Sequence, residues 1–92
     1  MPGWPSVGRA DEHRLTESLR RADAEAAARL YEAYADRLND YATSLLGDQD
    51  AAAEAVHDTM ITALARADRL AEPGRLRAWL YALARFHCLV RP

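Results

Sequence analysis

Arg69, Arg75, Arg77, Arg85 and Arg91 surround Trp79, Tyr81, Phe86 and His87 near the end of this 92-residue sequence. That mixture suits single-stranded nucleic acid, because guanidinium groups follow phosphates while rings stack on exposed bases. Aromatics at helical spacing also serve as plain core residues, so spacing alone leaves both uses open. A second candidate group lies upstream. Glu54, His57, Asp58, Ile61 and Ala65 recur at helical spacing and mix acids with one large apolar side chain. Such a strip is either a solvated face with a stray isoleucine or a docking surface for a basic, partly apolar partner helix.

Nothing in the sequence composes a catalytic or metal centre. His13, His57 and His87 are widely separated, and His87 and Cys88 are adjacent, so on a helix they point about 100° apart. Asp48 and Asp50 lack the remaining ligands of a calcium loop. There is no glycine-rich phosphate loop and no nucleophile motif. No enzyme activity, metal or cofactor is expected.

Charge divides the chain. Residues 1–65 hold six arginines and twelve acids, net −6, while residues 66–92 hold six arginines and two acids, net +4, which sum to the whole-chain value of −2. Two faces for two partners are the simplest reading. All basic residues are arginine, and twenty residues are alanine, a bias that a GC-rich genome also produces. The lone Cys88 permits no internal disulfide and fits a reducing cytoplasm. No apolar run approaches the roughly 18–20 residues of a membrane span. The opening "MPGWPSVGR" lacks the apolar centre of a signal peptide, and its Pro and Gly mark residues 1–10 as a loose tail. Within it, Trp4 packs either on the domain or on nothing.

The elements that must carry these groups are helices, because strand and hairpin signals are absent. A short amphipathic segment covers about 11–22, with Leu15 and Leu19 one turn apart. Asp23 is placed to cap a long helix over about 24–46, whose inner face reads Ala27, Leu30, Tyr31, Tyr34, Leu38, Tyr41, Ala42 and Leu45. Gly47 ends it, and Asp48 caps a third helix over about 48–67 with Ala52, Val56, Met60, Ala63, Leu64 and Ala67 inward. Pro73-Gly74 punctuates the turn before a fourth helix from about Arg75, which buries Leu76, Trp79 or Leu80, Leu83 and Val90. The expected fold is all-α, a small bundle of about four helices over 11–92. Its second and third helices form an antiparallel hairpin, since their link is too short for anything else.

The ordered stretch "LYEAYADRLNDYATSLLGDQDAAAEAVHDTMITALARADRL", followed by "RLRAWLYALAR", resembles region 2 of extracytoplasmic-function sigma factors of the sigma-70 family. The markers are a Leu-Tyr-x-x-Tyr helix, a Leu-Leu-Gly-Asp turn, an Ala-x-x-x-Val-His-Asp helix and Arg-x-Trp-Leu-Tyr-x-Leu-Ala-Arg, together covering about 15–91. The resemblance implies a cytoplasmic bacterial transcription initiation subunit without catalysis of its own. It implies that Glu54, His57, Asp58 and Ile61, with Asp50 nearby, bind the clamp helices of the largest subunit of core RNA polymerase. It implies that the loop over 68–77 and the fourth helix capture the non-template strand of the promoter −10 element and flip one base as the duplex opens. Arg69, Arg75, Arg77, Trp79, Arg85, Phe86 and His87 are the DNA-binding candidates on that mapping. Flipping costs a few kcal/mol, which stacking and phosphate contacts must offset. An anti-sigma factor is a further expected partner.

Two positions depart from the family pattern. Phe86 stands where Asn commonly follows Ala-Arg, and Val90 stands where Asp is common. The chain also stops at Pro92, ahead of the usual second domain that reads the −35 element, and so reads as an isolated region 2. The departures feed an alternative, a sigma-like interaction module that binds an anti-sigma factor or polymerase without reading DNA. A generic helical dimerisation domain, pairing through Ile61 or Phe86, is the third possibility.

Overall fold

The computed structural model describes residues 9–70 and 73–90, and within them every regular element is helical. The order is α1 (Arg9–Arg20), α2 (Ala26–Leu46), α3 (Gln49–Ala65), a 3-10 turn (Ala67–Arg69), a second 3-10 turn (Pro73–Arg75) and α4 (Leu76–Leu89). This is the all-α bundle that the periodicity predicts, with α2 against α3 as its most extensive packing. Trp4 and Arg91 lie outside the described residues. Arg9 and Ala10 already belong to α1 rather than to the tail expected over 1–10.

The α2–α3 hairpin forms as the local sequence dictates. Gly47 takes a left-handed φ of 70°, which costs glycine nothing, and its amide bonds the Thr43 carbonyl at 2.7 Å. Asp48 follows with an extended backbone, and its carboxylate accepts the amides of Asp50 at 2.9 Å and Ala51 at 3.2 Å. The chain therefore reverses within two residues.

The α1–α2 junction departs from expectation. Ala22 has a left-handed φ of 57°; its amide bonds the Leu19 carbonyl at 3.1 Å and the Asp23 amide bonds the Ser18 carbonyl at 3.0 Å. That paired pattern closes α1 before Ala22 and uses a β-carbon-bearing residue where glycine is usual. Asp23 does not cap α2. Its carboxylate pairs with Arg21 at 3.2 Å, and α2 starts after Glu25, which makes no side-chain cap.

The core collects Leu15 and Leu19 from α1, Leu30, Tyr34, Leu38 and Ala42 from α2, Val56, Met60 and Ala63 from α3, and Leu76, Leu80, Ala84 and Cys88 from α4. Several expected inner residues fall outside it. Ala27, Tyr31 and Leu45 of α2 are exposed, and Ala26 and Ala35 take the buried positions instead. Leu64 is 41% exposed, since Ala63 and Met60 already fill the arc of α3 that meets its neighbours. On α4 the buried row is Leu76-Leu80-Ala84-Cys88, with Trp79 and Leu83 only partly covered on its flank and Val90 exposed.

Two contrasts test this arrangement. Leu38→Ala should cost about 2–5 kcal/mol, whereas Leu64→Ala should cost under about 1 kcal/mol, in denaturant melts of the same chain. Equal losses would mean that the inner face of α3 is wrongly placed. Ala22→Gly should raise stability by up to about 1 kcal/mol by relieving the left-handed alanine, and a lowered melting temperature would contradict that backbone geometry.

Candidate nucleic-acid and protein interfaces

On α3 the predicted strip faces outward as a unit. Ile61 is 53% exposed, Asp50, Glu54 and His57 are exposed, and Asp58 is half-buried at its edge. Ala53, Glu54, His57 and Asp58 line a shallow open depression on this face. Leu64, absent from the expected strip, extends its apolar part by one helical turn from Ile61. A sequence reader misses it because its spacing from Met60 also fits the inner row.

The α4 candidates are divided by the structure. Arg69, Arg75 and Arg85 are exposed, but Arg77 is half-buried toward the side of α4 that meets α2. Tyr81 lies on that same side, its ring edge-on to Tyr41 with centroids 4.9 Å apart. Burial raises the Tyr81 phenol above its usual range, the nearby Arg37 and Arg77 pull it down, and Tyr41 and Asp40 add smaller upward pushes. Trp79 sits half-buried on the opposite flank, and helical spacing puts Phe86 and Val90 on its stripe. Phe86 is 56% exposed and edge-on to His87 at 5.3 Å. Arg77, Arg85 and Trp79 thus share a helix without sharing one face, while Arg69 and Arg75 sit on the two 3-10 turns ahead of it.

His87 occupies a seam. Its Nε2 lies 2.9 Å from Thr62 Oγ1, a hydrogen bond that ties the last turn of α4 to the last turn of α3. The imidazole is therefore committed to helix packing, and its partner Thr62 carries no signal in the sequence. Through this seam the acidic-apolar strip of α3 adjoins the end of α4.

A further group that sequence reasoning missed lies where α1, α2 and α4 meet. Glu12 is buried, and its Oε2 accepts the backbone amide of Arg77 at 3.1 Å. The neighbouring Tyr34 is fully buried; its phenol is pushed up to about 12, first by burial and then by the Glu12 charge, with Arg77 pulling the other way. Among the described residues no cluster of three or more metal-capable side chains occurs, and no helix is long and apolar enough to cross a membrane.

A family model described as Sigma-70 region 2 matches residues 30–91, which is more than half of the chain. No curated protein and no solved structure matches it.

The buried phenol sets an alkaline limit. An unfolded tyrosine titrates near 10, whereas folded Tyr34 holds its proton to about 12. Its stabilisation is complete below about pH 10 and is lost as pH rises through about 12, amounting to roughly 2–3 kcal/mol across that window. The melting temperature should therefore fall more between pH 9 and pH 11.5 for the parent chain than for Tyr34→Phe. Equal falls would remove Tyr34 as the cause.

Proposed function

We propose that this chain, which belongs to the sigma-70 region 2 family, docks on the clamp helices of core RNA polymerase through α3 and captures the melted −10 element with α4. The family is one of transcription initiation factors rather than catalysts, and it supports polymerase binding and promoter recognition in general terms. Working beside polymerase puts its action in the cytoplasm.

The observation that carries it is the separation of two chemistries onto adjoining helices. On α3, Ile61 and Leu64 stand exposed beside Asp50, Glu54 and His57, which fits a basic helix with an apolar ridge. On α4, exposed Arg85 and Phe86, with Arg75 ahead of the helix, supply phosphate contacts and a stacking ring. Trp79, half-covered and flanked by Leu83, fits the position where one base leaves the stack. Because the whole chain is mildly acidic, polymerase would supply much of the attraction to DNA.

A second reading keeps the protein contacts and drops the DNA. Phe86, Leu89 and Val90 are all more than half exposed on the last turns of α4, an apolar edge that suits an anti-sigma factor or another protein partner.

The first of two measurements tests the protein contact that both readings share, and the second separates them. Ile61→Asp should abolish capture by isolated clamp helices while changing folding stability by about 0.5 kcal/mol or less. Replacing Arg75 and Arg85 together by Ala should weaken binding of a single-stranded −10 oligonucleotide about tenfold and lower its salt slope by up to ~0.7 per lost phosphate contact. Clamp binding should survive that double change. Oligonucleotide binding indifferent to both arginines would favour the second reading.

A further inference from the structure

Among the described residues, the first turn of α4 takes no side-chain cap from its own N-cap position. Arg75 at the N-cap position makes no side-chain cap, and Gly74 before it has no side chain to offer. A helix start must satisfy its leading amides somehow. The acceptor comes from α1, where Glu12 Oε2 receives the Arg77 amide from 65 residues away. A carboxylate in that place also meets the positive end of the α4 dipole. Glu12 is only 8% exposed, a burial that ionisable residues rarely accept without a partner.

The surroundings reinforce the point. Tyr34 senses both Glu12 and Arg77, so all three side chains share one junction. Helix α1 also packs against both 3-10 turns that bracket the segment leading into α4. Yet α1 lies wholly outside the residues 30–91 that the family model matches.

We infer that Glu12 is a positioning residue for DNA capture: its carboxylate fixes the first turn of α4, and with it the directions in which Arg75 and Arg77 leave the backbone. The inference rests on the DNA-binding role proposed above for α4. It has a chemical corollary. With a carboxylate already on the helix end, phosphates are steered to the guanidinium groups and not to the α4 amides.

The test uses the whole chain with Glu12→Ala, Glu12→Gln and, as a matched destabiliser of α1, Leu15→Ala. Amide hydrogen exchange at Arg77 and binding of a labelled single-stranded −10 oligonucleotide are read together. In Glu12→Ala the Arg77 amide should exchange at least about tenfold faster while Leu38 and Ala55 stay protected, and oligonucleotide affinity should fall about fivefold. Glu12→Gln keeps an oxygen at the same reach and should restore most of both. An Arg77 amide that stays protected in Glu12→Ala overturns the inference alone. So does a DNA loss that merely tracks melting temperature in the same way as Leu15→Ala. A parent chain that ignores the oligonucleotide overturns the proposed DNA role and this inference's DNA half together.

Discussion

The distance at which α2 and α3 can pack governs the rest of the molecule. Both helices bury small residues: Ala35 and Ala42 on α2, and Ala52, Ala55 and Ala63 on α3. Small side chains let helix axes approach closely, and the larger Leu30, Tyr34, Leu38 and Val56 then fill the remaining gaps. A core of this kind contributes little apolar area per residue. It also cannot surround every large side chain, which is why Ile61, Leu64, Phe86 and Leu89 remain outside. The exposed apolar residues that the proposed interfaces use are thus the remainder left by an alanine-rich interior.

That interior also explains the division of α4. Its buried row is narrow, because Ala84 and Cys88 take the place of larger residues in the last turns. Tyr81 is drawn toward α2 by its contact with Tyr41, and His87 is drawn to α3 by Thr62. Arg85 and Phe86 face neither neighbour. Polar contacts at the flanks, rather than the apolar row alone, fix which side chains of α4 point away from the bundle.

Legibility in the sequence followed the range of the interactions. Gly47 and Asp48 act on residues within four positions of themselves, and the turn they make is the one their types predict. The α3 strip was likewise readable, since helical spacing alone assigns Glu54, His57 and Ile61 to one face. Asp23 misled because Ala22 carries a left-handed conformation that its residue type does not advertise. Leu64 misled because the arc α3 buries is turned toward Ala55 and Thr59, which leaves Leu64 beyond its edge at Met60. Glu12 was silent, as its partner lies at the other end of the chain; Arg75 at an uncapped helix start was the one hint.

The Glu12–Arg77 bond has a consequence for how the domain comes together. A hairpin closed by Gly47 and Asp48 needs only neighbouring residues, so its ordering cost is met early and locally. The contact between α1 and the start of α4 closes a loop of 65 residues and gains nothing until nearly the whole domain has been synthesised. On a ribosome, α1 emerges first and waits for its partner helix. The segment proposed to meet DNA is accordingly the last to acquire its final geometry, and it completes the domain only when α1 and α4 have met.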